Sequence, residues 1–128
     1  MAYYASPNLL DGGPDYLAAN CDLMGVVFEY TFGDSYATVT SNLLASVAIV
    51  SGNFAMSSSG NDRVCTTAAG LQDAAAEAGE VSSHIVFLKT TATTEVILVV
   101  PETTLVTINV GDPVNFPSIP ITWHQPTA

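Results

Sequence analysis

The side chains able to carry chemistry are few. Cys21, Cys65, His84 and His124 are the only thiols and imidazoles of the chain, and a nucleophile–base pair or a metal centre would have to draw on them. The cysteines lie far apart in sequence and form no Cys-x-x-Cys pair, so neither a zinc site nor a redox motif is indicated. Two buried thiols or one disulfide remain as readings of the pair. His84 opens a strand pattern, and His124 falls on the face opposite Ile121 and Trp123. A site built from them would need the fold to bring distant residues together, so hydrogen-bonded or solvated histidines are expected. Glu95 and Glu102 flank an apolar strand as a glycosidase pair flanks a sugar. An extended chain at ~3.3 Å per residue sets them about 20 Å apart, beyond the about 5–9.5 Å that this chemistry uses. Asp11 and Asp15 bracket Gly-Gly-Pro, and Asn61-Asp62 sits in a turn; both loops are sparse for Ca²⁺ and read as solvated turn carboxylates. No Gly-x-Ser-x-Gly, P-loop, Gly-x-Gly-x-x-Gly, His-Glu-x-x-His or EF-hand pattern occurs. The expectation is a non-enzymatic protein without cofactor or metal.

The elements that position these residues are mostly strands. Val26 to Phe32 is β-branched and aromatic and ends at Gly33-Asp34, a strand signal. Asp34 or Ser35 can cap a helix in which Tyr36, Val39, Leu43, Leu44 and Val47 repeat at helical spacing. Asn53 to Ser57 and Arg63 to Thr67 flank a Ser-Ser-Gly-Asn-Asp turn and predict a hairpin. Residues 70–80 are small and acidic and fit either short helical turns or a surface loop. His84 to Thr91 and Glu95 to Val100 read as core strands, the second apolar on both faces. A C-terminal hairpin is expected, with Val106, Ile108 and Val110 on one face and a turn at Gly111-Asp112-Pro113 before Val114 and Phe116. Apolar parity then shifts to Ile119, Ile121 and Trp123, as a bulge at Pro117-Ser118 would cause, and Pro117 and Pro120 confine this strand to an edge. The fold class expected is mainly β, a β-sandwich or jelly roll of about seven or eight strands with one short α-helix. Residues 1–20 read as an extended N-terminal arm and 21–128 as a single β-sandwich domain.

The whole chain is acidic yet poor in charge. Its 128 residues carry 2 Lys+Arg and 12 Asp+Glu, a formal net charge of -10, while only 11% of residues are charged and 48% are hydrophobic. Neutralising phosphates takes clustered basic residues, so nucleic acid and anionic membrane surfaces are excluded as partners. The abundance of apolar residues argues against disorder. The first residues lack the basic and apolar regions of a signal peptide, and no apolar run is long enough to span a membrane, so synthesis in a cytoplasm is expected. Interfaces are depleted in long charged side chains relative to free surface, so the low charge fraction is compatible with burial against partners. In the arm, Tyr3, Tyr4, Leu9, Leu10 and Tyr16 need a surface to cover. That surface is either the chain's own core or a neighbouring subunit.

Several segments resemble a family of small structural proteins of tailed bacteriophages and prophages. They are Tyr4-Ala-Ser-Pro-Asn-Leu-Leu-Asp-Gly-Gly-Pro-Asp-Tyr16, Gly33-Asp-Ser-Tyr-Ala-Thr-Val39 with Asn42-Leu-Leu-Ala45, Ser57-Ser-Ser-Gly-Asn-Asp-Arg63, His84-Ile-Val-Phe87, and Gly111-Asp-Pro-Val-Asn-Phe-Pro-Ser-Ile-Pro-Ile-Thr122. The likeness runs in order over most of the chain, and its motifs are structural rather than catalytic. It implies a virion component, a cement or decoration protein with a β-sandwich fold on the capsid exterior, with the major capsid protein as its partner. A dimer or trimer on the capsid fits this role. In such a role the domain would clamp subunit boundaries while the arm lay across a neighbour, so removing residues 1–13 is expected to leave the domain folded but unable to bind. The alternative is a tail-, neck- or fibre-associated structural module, binding carbohydrate through Tyr30, Tyr36 or Trp123.

Overall fold

The computed structural model describes residues 3–60, 62–102 and 104–123. His124 and Asn61, raised above as candidate site residues, lie outside them. Twelve strands are formed among the described residues: β1 (Tyr4–Ala5), β2 (Leu23–Val27), β3 (Leu43–Ala48), β4 (Phe54–Ser59), β5 (Asp62–Thr67), β6 (Leu71–Asp73), β7 (Glu80–Val81), β8 (His84–Lys89), β9 (Glu95–Pro101), β10 (Thr107–Ile108), β11 (Val114–Phe116) and β12 (Pro120–Trp123). Helices α1 (Pro7–Asn20) and α2 (Tyr36–Ser41) and a 3-10 turn at Ser51–Asn53 complete the chain. The protein is therefore mainly β, with more and shorter strands than expected. All recorded pairings are antiparallel.

A five-stranded sheet ordered β1-β9-β8-β2-β3 organises the molecule. Its inner strands carry the runs Ile85-Val-Phe-Leu88 and Val96-Ile-Leu-Val99, buried on both faces, as their unbroken apolar sequences require. On one face Val27, Val86, Leu88 and Val99 pack with Tyr30 and with Val39 of α2. On the other, Met24, Val26, Ile85, Phe87 and Ile97 pack with Leu9 and Leu17 of α1, Phe54 of β4, Cys65 of β5, Ile108 of β10 and Phe116 of β11. That second layer holds a three-stranded sheet, β12-β5-β4, and two strand pairs, β10-β7 and β11-β6.

Two register shifts serve this arrangement. Between β8 and β9 the pairing jumps from Phe87↔Leu98 to Leu88↔Val96, so consecutive Ile97 and Leu98 both join the larger core. Between β2 and β3 it jumps from Val26↔Ala45 to Val27↔Leu43, which sends Leu44 and Ala45 to that same side. A bulge sets two residues of one strand against one of its partner, and here it thickens one face. Gly25 lies under the second shift; a Cβ there would come within 2.4 Å of Leu43 Cδ2 and 3.2 Å of the Ala45 carbonyl.

Several expectations are corrected. Residues 7–20 are helical, not an extended arm. Ser6 caps α1 by accepting from the Leu9 N–H at 3.1 Å, Pro7 occupies the first turn, and the Gly12-Gly13-Pro14 break is a kink within the helix, with φ 66° at Gly13. Helix α2 is capped by Ser35 as expected but stops at Ser41. Leu43, Leu44 and Val47, read as its continuation, lie in β3. In place of the C-terminal hairpin, β10 pairs with β7 and β11 with β6. The 70–80 stretch thus supplies two strands, with Ala76 buried between them. The parity shift near Pro117 is not a bulge. It is the passage from β11 to β12, which pairs with β5 in another sheet, and β12 is an edge strand as the prolines required. The β4–β5 hairpin and strands β8 and β9 form as read.

Candidate functional site

The residues first considered for chemistry are scattered by the fold. Cys21 and Cys65 are buried free thiols in the larger core, and burial pushes the Cys21 thiol up to about 12 and raises that of Cys65. His84 sits beside Tyr30 with ring centroids 5.6 Å apart, and its Nδ1 and the Ser83 hydroxyl are 2.8 Å apart. Strand alternation places it on the face away from the cysteines, so no Cys–His pair forms. Glu95 accepts hydrogen bonds from Asn8 Nδ2 and the Tyr16 hydroxyl, tying α1 to β9, and the Glu95 bond holds the Tyr16 phenol above its ordinary range. Asp11 and Asp15 lie in α1 rather than in a turn. Among the described residues no cluster of His, Cys, Asp and Glu is arranged to hold a metal ion, and no helix is long and apolar enough to cross a membrane.

The five proposed contact residues separate into three groups. Leu9 is only 2% exposed and belongs to the chain's own core, which removes it as a contact anchor. Tyr4 in β1 and Tyr16 are half-buried, Tyr4 with its ring edge-on to Phe32 at 5.7 Å. Tyr3 and Leu10 are open to solvent, at 67% and 68%. Tyr30 is buried, and Tyr36 and Trp123 are half-buried, the two tyrosines against one core cluster and Trp123 against the other.

Tyr3 faces a groove that sequence reading missed. Two neighbouring depressions, of about 280 and 580 Å³, share Ile85, Glu102, Val106, Asn115 and Pro117. The first reaches inward to Phe116 and Ile108, and the second opens toward Tyr3, Val100 and Ile119. The groove is assembled by Ser82, which is 1% exposed. Its N–H donates to the Val106 carbonyl at 2.8 Å, its hydroxyl oxygen accepts from the Val106 N–H at 3.0 Å, and its hydroxyl donates to Glu102 Oε2 at 3.2 Å. The Glu102 N–H donates in turn to the Ser83 carbonyl at 2.9 Å. One serine thereby fixes both the wall that carries Val106 and the carboxylate between the depressions. Burial raises the Glu102 carboxyl above its usual range, against the pull of the Ser82 hydroxyl. Asp112 stands at the inner end, where its carboxylate accepts from the Asn109 N–H. The walls are otherwise largely apolar, and no Lys or Arg lines them. The signal in sequence was Glu102 placed directly after an apolar strand and Pro101, with Ser82 just ahead of the preceding strand.

No family model, no curated protein and no solved structure matches this chain.

Proposed function

We propose that this chain is a non-enzymatic virion structural protein, a cement protein that binds the outer surface of a tailed-phage capsid and bridges neighbouring major capsid subunits. One observation carries the reading: large apolar side chains stand exposed on a domain in which only 11% of residues are charged. Tyr3, Leu10, Phe32, Val50, Leu105, Val106 and Val110 are each more than half exposed, and apolar surface of this kind marks sites of protein contact. The sequence likeness to small phage structural proteins points the same way. In this reading the layers about the central sheet form a β-sandwich, made in the host cytoplasm and mounted on the capsid exterior. Its partners are the major capsid protein and further copies of this chain, as a dimer or trimer. Anchors such as Tyr3 and Leu10 would each contribute ~1–3 kcal/mol on burial, and repetition over a shell turns weak contacts into a stable lattice.

Stoichiometry tests it. Quantitative mass spectrometry of purified virions is expected to find this protein in numbers comparable to the major capsid protein. A few copies per particle would place it in the tail, neck or fibre instead and overturn the cement reading.

A further inference from the structure

The groove around Glu102 contains an imbalance that the described residues do not resolve. A half-buried carboxylate lies between apolar walls, the Ser82 hydroxyl donates to it at 3.2 Å, and Asp112 adds a second acidic group at the inner end. A buried charge is costly unless it is paired. The two basic side chains of the protein are engaged elsewhere: Arg63 donates to Ser58 Oγ at 2.9 Å and Lys89 to Asn20 Oδ1 at 3.4 Å. Among the described residues, then, no Lys or Arg stands in the groove to supply the counter-charge.

We propose that the groove is a docking site for a basic side chain, lysine or arginine, carried on a partner protein segment with apolar neighbours. The charged head meets Glu102, and the alkyl stem lies along Ile85, Val106 and Pro117, as long basic side chains do on apolar surface. Charge complementarity selects the head: an acidic groove on a chain of net charge -10 draws cations and repels anions. The shape selects a protein segment over a free amine. A small amine would fill the inner depression of about 280 Å³ and leave the outer one, about 580 Å³ and flanked by Tyr3 and Ile119, uncovered. The apolar residues beside the basic one would cover it, with Tyr3 at its edge. This assignment rests on the groove alone and holds whether or not the partner is a capsid subunit.

The test is a ¹H–¹⁵N NMR titration of the full chain with three probes: acetyl-Leu-Lys-Leu-amide, acetyl-Leu-Gln-Leu-amide and butylammonium chloride. The lysine peptide is expected to shift the amides of Ser82, Glu102, Val106 and Asn115 and to bind about tenfold more tightly than the glutamine peptide, as a charge-assisted hydrogen bond provides. Glu102→Gln is expected to abolish that difference. Val106→Trp, at a half-exposed wall position that leaves the carboxylate in place, is expected to block both peptides. Equal binding of the two peptides, shifts that map outside the groove, or no binding at millimolar concentration overturns the proposal. Unchanged lysine-peptide binding by the Val106→Trp variant does so too, since Glu102 would then act as a plain surface charge. Butylammonium binding as tightly as the lysine peptide would overturn the choice of a protein segment.

Discussion

Asp22 and Glu102 are carboxylates with opposite effects on stability, and the difference comes from their donors. Burial would raise the Asp22 carboxyl, but the Thr90 N–H and hydroxyl and the Thr91 hydroxyl, at 2.9 to 3.2 Å, outweigh it and hold it below the usual range. With a folded value below the unfolded one, Asp22 stabilises the protein above the unfolded carboxylate range, and this is lost as pH falls through the folded value. Asp22→Asn is expected to cost about 0.5–1 kcal/mol at pH 7 by denaturant titration, a modest figure because the site is only partly shielded from water. The gap to the parent should narrow as the medium is acidified; a gap independent of pH would show that charge is not involved. Glu102 has the reverse sign. Its raised value means that ionisation opposes folding, so its cost is fully present above the folded value and fades as pH falls below the unfolded one. Glu102→Gln should therefore raise the melting temperature at pH 7 and leave it unchanged near pH 4. A lower melting temperature at pH 7 would mean that the ionised carboxylate is needed by the fold.

Helix α1 shows how an element can be misread when its strongest local signal is a break. Ser6-Pro7 is a cap followed by a first-turn proline, a legible helix start. Gly12-Gly13-Pro14 spoke louder, although it only kinks the helix. Helix α2 shows the converse: Tyr36, Val39, Leu43, Leu44 and Val47 fit a helical spacing, yet pairing with β2 and the register shift at Val27 draw the later residues into a strand. Strands β8 and β9 were legible because their apolar runs are local facts. The pairings of β10 and β11 were not, since their partners lie in the acidic 71–81 stretch, whose sequence carries little strand signal. The Glu102 groove escaped for the same reason, being built by segments distant in sequence, two of which Ser82 ties together. The structure also reverses one expectation about residues 1–13. With β1 paired to β9, Ser6 buried and Leu9 at the core, their deletion should destabilise the domain by more than ~3 kcal/mol, given the usual cost of losing one buried leucine. A truncated chain that melts at the parent temperature would return this segment to the status of a detachable arm.

At the scale of the whole molecule, charge acts against the fold. The formal net charge is -10, and Arg63 and Lys89 make their hydrogen bonds to the neutral side chains of Ser58 and Asn20, so they do little to break up the acidic field. Some acids crowd one another: burial and the neighbouring Asp73 raise the Glu77 carboxyl. Folding concentrates these charges, and the resulting self-repulsion destabilises the compact state. Salt weakens this repulsion over a known distance, because the screening length shrinks from about 30 Å at 0.01 M to about 8 Å at 0.15 M. The melting temperature should thus rise by a few degrees, on the order of 1 kcal/mol for a domain of this size, between ~10 and 150 mM NaCl. It should then level off once screening is shorter than the spacing between surface carboxylates. Potassium chloride should act alike, since the effect is one of ionic strength and not of a bound ion. A melting temperature that is flat or falls over this range would show that the acidic groups are too far apart to repel. The surface charge would then be tolerated in the free protein without cost.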